Sequence, residues 1–305
     1  MSTSLLSNAP AVGFGGVVHE YLWNWNNQQL RIVYETIGQG EPLLLLPAFS
    51  SVSTRLEMGE LARLLAANFQ VFAVDWPGFG ESSRPSLDYC PAVYQQFLAD
   101  FVKSVFDSPI IVIAAGHAAG YVLQLARREP GIFAKIVLLA PTWRGPLPTM
   151  GASQQISNFV RGLVRSPILG PALYQLNTTP SFLSFMYRRH VFADEAHITP
   201  SFIEQKWQTT QQPGARFGSA AFVTGNLDTI RNQSEFLELV QSLSIPLMVV
   251  IGESSPPKSR LEMDALAALP GIRSVVLPGS LALHEEYPAA VLAAVLPFLN
   301  ITANG

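Results

Sequence analysis

The run Gly116-His117-Ala118-Ala119-Gly120 holds most of the chemical interest of this 305-residue chain. It follows an apolar stretch of strand character, IVIAA, and precedes a segment of helical period, YVLQLARR. A tight Gly-x-x-x-Gly turn joins strand to helix, and a serine or cysteine within it would be a candidate nucleophile. Here the middle residue is Ala118, whose methyl group cannot attack a carbonyl. Two imidazoles remain as candidate acid–base groups. His117, inside the turn, reads either as a polar group of a pocket or as a satisfied core residue. His284, in LPGSLALHEEYP, reads either as a water-activating base or as a structural residue bonded near the start of the last helix. Cys90 is the single cysteine, so no disulfide framework or cysteine-based metal site can form; it reads as a small buried hydrophobe, and a reducing compartment is the simpler setting. No metal and no cofactor are expected.

These residues need elements to hold them. Apolar, β-branched runs alternate with longer helical segments, the pattern of a mostly parallel sheet with crossover helices. Strands are expected at 18–24, 30–36, 42–47, 70–75, 109–115, 134–140, 246–252 and 272–277, and helices at 54–68, 91–107, 118–129, 230–243, 258–268 and 285–299. Leu43–Leu46 and Ile110–Ala115 are continuously apolar, as strands buried on both faces should be. From 142 to 228 the strand rhythm stops, and short helices are interrupted by Pro146, Pro148, Pro167, Pro171, Pro180, Pro200 and Pro213. The expected organisation is therefore an α/β core from 1–141 and 229–305, with a helical cap inserted at 142–228.

Four segments in order carry a resemblance: LLLLPAFSS, VFAVDWPGFGESSRP, IVIAAGHAAGYVLQLARREP and LPGSLALHEEYP. Together they resemble the α/β-hydrolase superfamily, in its oxyanion loop, the strand and turn that follow, the nucleophile elbow and the entry to the final helix. The spacing and the cap most resemble cyanobacterial and plastid hydrolase-like proteins related to pheophytinase and chlorophyll dephytylase. The resemblance implies an eight-stranded, mostly parallel sheet flanked by helices. It also implies that the Ser, Asp and His positions are occupied by Ala118, by Ser255 at the end of Gly252-Glu253-Ser254-Ser255, and by Leu281. Glu253, two residues early, reads as an ordinary polar residue at a strand end. His284 lies two residues beyond the expected place and is the only low-ranking catalytic candidate.

With all three positions changed, the resemblance points to a protein without conventional serine-hydrolase activity. The expectation is a binding or assembly protein for an apolar, lipid- or pigment-like ligand or for a protein partner. Backbone donors of Ala48, Phe49, Ser50 and Ala119 could still meet a carboxyl or carbonyl oxygen beside His117 and Ala118, with Trp143 and Arg144 at the mouth. Leu169, Leu173, Tyr174, Leu176 and the segment 180–187 would then either line the pocket or pack the cap onto the body. The alternative is an unconventional hydrolase or lyase using His284 or His117 on an ester-type or apolar substrate.

Composition narrows the partners. Nineteen Lys and Arg against 22 Asp and Glu, scattered along the chain, give a net charge of −3 and no footprint for nucleic acid. No run of about 18 apolar residues is present, so no transmembrane segment is expected, and the N-terminus has no signal-peptide pattern. A cytoplasmic setting is expected, or a thylakoid-peripheral one if the narrower resemblance holds. Charged residues make up 13% of the chain, against roughly 25% in an average soluble domain, and mean hydropathy is +0.26. Such a surface suggests a protein partner, an oligomer or peripheral contact with a membrane.

Overall fold

The computed structural model describes residues 13–300. Its centre is an eight-stranded sheet: β1 (Val17–Trp25), β2 (Gln28–Ile37), β3 (Glu41–Leu46), β4 (Phe69–Val74), β5 (Ile110–Ala115), β6 (Phe133–Leu139), β7 (Leu247–Gly252) and β8 (Arg273–Leu277). The spatial order is β1-β2-β4-β3-β5-β6-β7-β8. β1 and β2 form an antiparallel hairpin and β2 pairs antiparallel with β4; every later pairing is parallel. The hairpin turns on Asn26 and Asn27, both at positive φ, a conformation that asparagine tolerates and that matches strand twist. All eight expected strands are present, and Leu43–Leu46 and Ile110–Ala115 are fully buried, as their unbroken apolar character requires.

Helices α1 (Gly59–Leu65), α2 (Pro91–Val105) and α3 (Ala118–Arg128) cover the first half of the sheet. The expected helix at 54–68 is divided, because a 3₁₀ turn over Arg55–Met58 precedes α1. That turn is set by a buried ion cluster: Arg55 reaches Asp75 at 2.5 Å, Glu81 at 2.6 Å and Glu35 at 3.3 Å. Asp75 also accepts from the Arg55 backbone N–H, so the turn after the loop that follows β3 is tied to the end of β4.

Between β6 and β7 the described chain is helical: α4 (Pro146–Thr149), α5 (Gln154–Arg165), α6 (Leu169–Leu176), α7 (Pro180–Met186), α8 (Pro200–Thr210), α9 (Ala215–Val223) and α10 (Gln233–Gln241). A π-turn over Tyr187–Val191 extends α7. The prolines begin helices as well as separate them. Pro146, Pro180 and Pro200 each occupy a first helical position, where the missing N–H costs nothing. After β7 come α11 (Pro257–Ala267), β8, α12 (Leu283–Glu286) and α13 (Pro288–Leu299). Pro288 splits the single helix expected at 285–299, because the residue before a proline is driven out of helical geometry.

The main core lies on both faces of the sheet. A second apolar cluster joins the cap residues Leu183, Tyr187, Phe192 and Ile203 to Val52 and Ala282. The helices between β6 and β7 therefore pack onto the loops that follow β3 and β8.

Candidate active site

The strand-to-helix turn is sharp, and its left-handed residue is Gly116, at φ +50°, a conformation glycine adopts without strain and an L side chain would not. This differs from the expectation that Ala118 stands at the tip, since Ala118 is the first residue of α3 and fully buried. A side chain built on Gly116 would have its Cβ 3.1 Å from the Ala48 methyl and 3.7 Å from Thr142 Oγ1. His284 does not come within 4 Å of that point. Gly120 serves a separate purpose. The segment after the cap crosses α3 so closely there that a Cβ would lie 2.6 Å from Thr229 Oγ1.

Two of the expected backbone donors are committed elsewhere. The Ala119 N–H donates to Gly116 O at 3.3 Å within the first turn of α3, and the Ala48 N–H donates to Glu57 Oε1 at 2.5 Å. Ser50 spends its hydroxyl on its own loop, accepting from Val52 N–H at 3.2 Å. Phe49 is buried at the centre of an aromatic cluster, stacked on Trp76 at 4.8 Å and edge-on to Tyr94 at 4.9 Å. Its ring holds the oxyanion loop down; it is core, not pocket lining.

His117 is 2% exposed and sits edge-on to Phe49 and Phe222. Its Nε2 donates to Leu227 O at 3.1 Å and lies 3.3 Å from Asp228 Oδ1, while Nδ1 has no partner among the described residues. Burial pushes the imidazole down to about 4, against a raising contribution from the Leu227 carbonyl. Burial likewise pushes Asp228 up to about 7, opposed by the Gly145 N–H and by Arg144. Two neutral groups in contact satisfy burial better than an isolated ion pair. His117 is thus the core alternative of its two sequence readings. Asp228 had no sequence signal beyond its place at the end of the cap, although its Oδ1 holds the first turn of the cap through Gly145 N–H at 2.9 Å.

Trp143 is buried, and the Arg144 guanidinium stacks over its indole at 4.0 Å, which spends that cation on an intramolecular contact. His284 is 1% exposed and lies on α12, 3.8 Å from Glu57 Oε1. Neither of its ring nitrogens makes a hydrogen bond among the described residues, so the structural bond expected near the last helix is absent. Ser255 is buried with its hydroxyl unpaired among the described residues, Leu281 is partly buried, and Glu253 is exposed at the strand end.

The loop that carries Leu281 and His284 is fastened to the cap. The Ala282 N–H donates to Val191 O at 3.3 Å, and the Ser280 hydroxyl donates to His190 O at 3.3 Å. Glu286 Oε1 accepts from the N–H groups of Ala193 and Asp194 at 2.8 and 2.6 Å. Lys206 on α8, 3% exposed, places its ammonium 2.5 Å from Glu285. Burial pulls the Lys206 ammonium down, but Glu285, Tyr187 and Glu57 outweigh it and hold it above its ordinary value. None of these links was legible, because each joins residues about 80–90 positions apart.

The cap residues foreseen as pocket lining or packing divide. Leu183 and Tyr187 are buried against the body, whereas Leu169, Leu176 and Phe185 point to solvent. A cleft of about 320 Å³ opens beside the oxyanion loop, bounded by Phe14, Leu56, Glu57, Phe192, Phe202 and Glu285. Among the described residues no group of three or more His, Cys, Asp or Glu is placed to hold a metal ion.

Comparison with known proteins agrees with this architecture. An esterase from Thermogutta terrifontis, solved with malate bound, superposes with a TM-score of 0.71 at 21% identity, covering 93% of this chain and 98% of that one. The Cif epoxide hydrolase from Acinetobacter nosocomialis gives a TM-score of 0.71 at 17% identity, over 95% of this chain and 92% of that one. A Synechocystis sp. protein named provisionally as a non-heme chloroperoxidase is 22% identical over 240 residues, 75% of this chain and 79% of its own length. At these identities the structural likenesses establish the fold. Residues 43–295 match the profile of the Alpha/beta hydrolase family, and with the strand order and the left-handed turn at Gly116 already in place, the chain belongs to that family.

Proposed function

We propose that this protein is a non-catalytic member of its family, a binding or assembly protein built on the α/β-hydrolase fold. The observation that carries the reading is the residue at the tip of the elbow. In this fold the nucleophile occupies the strand-to-helix turn in a conformation that strains an L-residue, and the left-handed residue of the turn here is Gly116, which has no side chain. The nucleophile position is therefore Gly116 rather than Ala118, and neither residue can attack a carbonyl. Ser255 and Leu281 at the acid and histidine positions support the same conclusion, since neither can orient or stabilise an imidazolium.

The cleft beside Glu57 is lined by Phe14, Phe192 and Phe202 but also by Glu60, Arg63, His197, Gln205 and Glu285, and this mixed lining supports a ligand that carries both apolar and polar groups. The likeness to pheophytinase and chlorophyll dephytylase relatives belongs to this reading as a guide to ligand class, lipid or pigment. A second reading is favoured by the contact of His284 with Glu57, 3.8 Å apart in the interior. A carboxylate beside an imidazole can activate water, and the esterase and epoxide hydrolase named above share the fold.

Labelling with a fluorophosphonate, together with mass spectrometry of the protein as purified, separates the two. The proposal expects no label, and an apolar molecule or a protein co-purifying. A covalent adduct on any serine at stoichiometric yield would overturn it.

A further inference from the structure

Of the 12 large hydrophobic side chains that are exposed among the described residues, eight lie between Met150 and Phe185, on the cap. Helix α5 shows the cause. Its apolar side chains Ile156, Phe159, Val160, Leu163 and Val164 recur at helical spacing, yet only Ser157 of the helix is buried. Val160, Leu163 and Val164 are half-buried, while the N-terminal part of the stripe faces solvent and leaves Ile156 and Phe159 54% and 67% exposed. Ile168 is 83% exposed and Leu176 69%, at the two ends of α6, and Phe185 on α7 is 58% exposed. Monomeric proteins rarely leave such a concentration of apolar surface without a partner.

Charge identifies the partner. From Gly145 to Ala193 the chain contains Arg161, Arg165, Arg188 and Arg189 and no aspartate or glutamate. Arg165 is turned inward to Leu87 O and lies 3.9 Å from Asp88, and Arg188 lies 3.5 Å from Glu195 with both side chains exposed, which leaves Arg161 and Arg189 as the arginines of this face without an ion pair among the described residues. Arg189 and His190 are exposed beside them. A second copy of the same face would bring these arginines against each other. An acidic protein would need pockets matched to apolar side chains that are spread over three helices. A bilayer accepts protruding apolar side chains without shape complementarity, and anionic headgroups meet the arginines.

We propose that the outer face of the cap, α5 to α7, docks on an anionic lipid surface, with Ile156, Phe159, Ile168, Leu176 and Phe185 entering the headgroup region. No described helix is long and apolar enough to cross a membrane, so the contact is peripheral. The inference is independent of the missing nucleophile, because the docking face would serve an active or an inactive cleft alike.

The test is co-sedimentation of the full chain with vesicles of phosphatidylcholine, with and without phosphatidylglycerol. Binding to the anionic vesicles is expected. It should fall on the order of tenfold or more in the Phe159→Asp/Phe185→Asp double variant, and comparably on neutral vesicles or in high salt. Leu261→Asp, at a 69% exposed site on α11 outside the cap, should bind as the natural protein does. Absence of binding to anionic vesicles overturns the proposal, as does binding that the double variant leaves unchanged. A cap substitution that alters only the mass in solution also overturns it, and assigns the face to a second copy.

Discussion

Replacing Lys206 with methionine probes whether the cap is fixed to the 280–286 segment. Methionine keeps the apolar stem that runs past Tyr187 and Phe202 and removes only the ammonium, 2.5 Å from Glu285. Removing one partner of a buried pair costs about 3–5 kcal/mol. Glu285 retains some contact with water, and its carboxyl, already held above the ordinary range by burial, can take a proton once the ammonium is gone. The expected cost is therefore at the lower end, about 3 kcal/mol. Glu285→Gln should cost a comparable amount, and Lys206→Met/Glu285→Gln should cost less than the two single changes added together, with a coupling of about 2 kcal/mol. Urea unfolding of the four proteins supplies the cycle, and hydrogen exchange across 187–194 and 280–286 reports the local effect. A Lys206→Met loss below about 1 kcal/mol, with exchange unchanged, would mean that the pair behaves as a surface salt bridge and that the cap is not fastened there.

Three further outcomes follow from the same geometry. Gly116→Ala should destabilise the fold by about 2 kcal/mol, since a left-handed φ costs an L-residue about 1–2 kcal/mol and its Cβ crowds Ala48; an unchanged melting temperature would refute the strain. Between pH 4 and 6.5 the folded pair holds its one proton on Asp228 and the unfolded pair holds it on His117, so together they add no pH dependence. Asp228→Asn leaves only the depressed His117, whose contribution is present above pH 6.5 and lost as pH falls toward 4, by about 1.4 kcal/mol per unit; urea midpoints that stay level across that window would contradict the assignment. Phe49→Ala should cost about 3–5 kcal/mol by opening the aromatic cluster under the oxyanion loop, read from the same denaturation curves, and a loss under about 1 kcal/mol would place that ring in a pocket instead of the core.

The sheet was legible because strands buried on both faces must be apolar throughout, and Leu43–Leu46 and Ile110–Ala115 are. The loss of strand rhythm after residue 140 was legible for the same reason. The tip of the elbow was displaced by two residues, because Gly116 and Gly120 frame Ala118 as a five-residue motif. Gly120 is there to admit Thr229, and Gly116 alone carries the positive φ. A glycine directly before a run of good helix formers was the available signal. Ala119 as a donor failed through the same displacement, since a residue inside the first helical turn spends its N–H there. Glu57, Lys206 and Asp228 gave no sequence signal: a lone charged residue looks alike on a surface and in a buried pair until distant segments meet.

The most direct test of the central claim is turnover on a panel of p-nitrophenyl esters with short and long acyl chains, using the natural protein beside His284→Ala and His117→Ala. With no nucleophile at Gly116, hydrolysis should stay near the background rate and be the same in all three proteins. Saturable turnover in the natural protein that disappears in either histidine variant would contradict the account and establish an enzyme with unconventional chemistry.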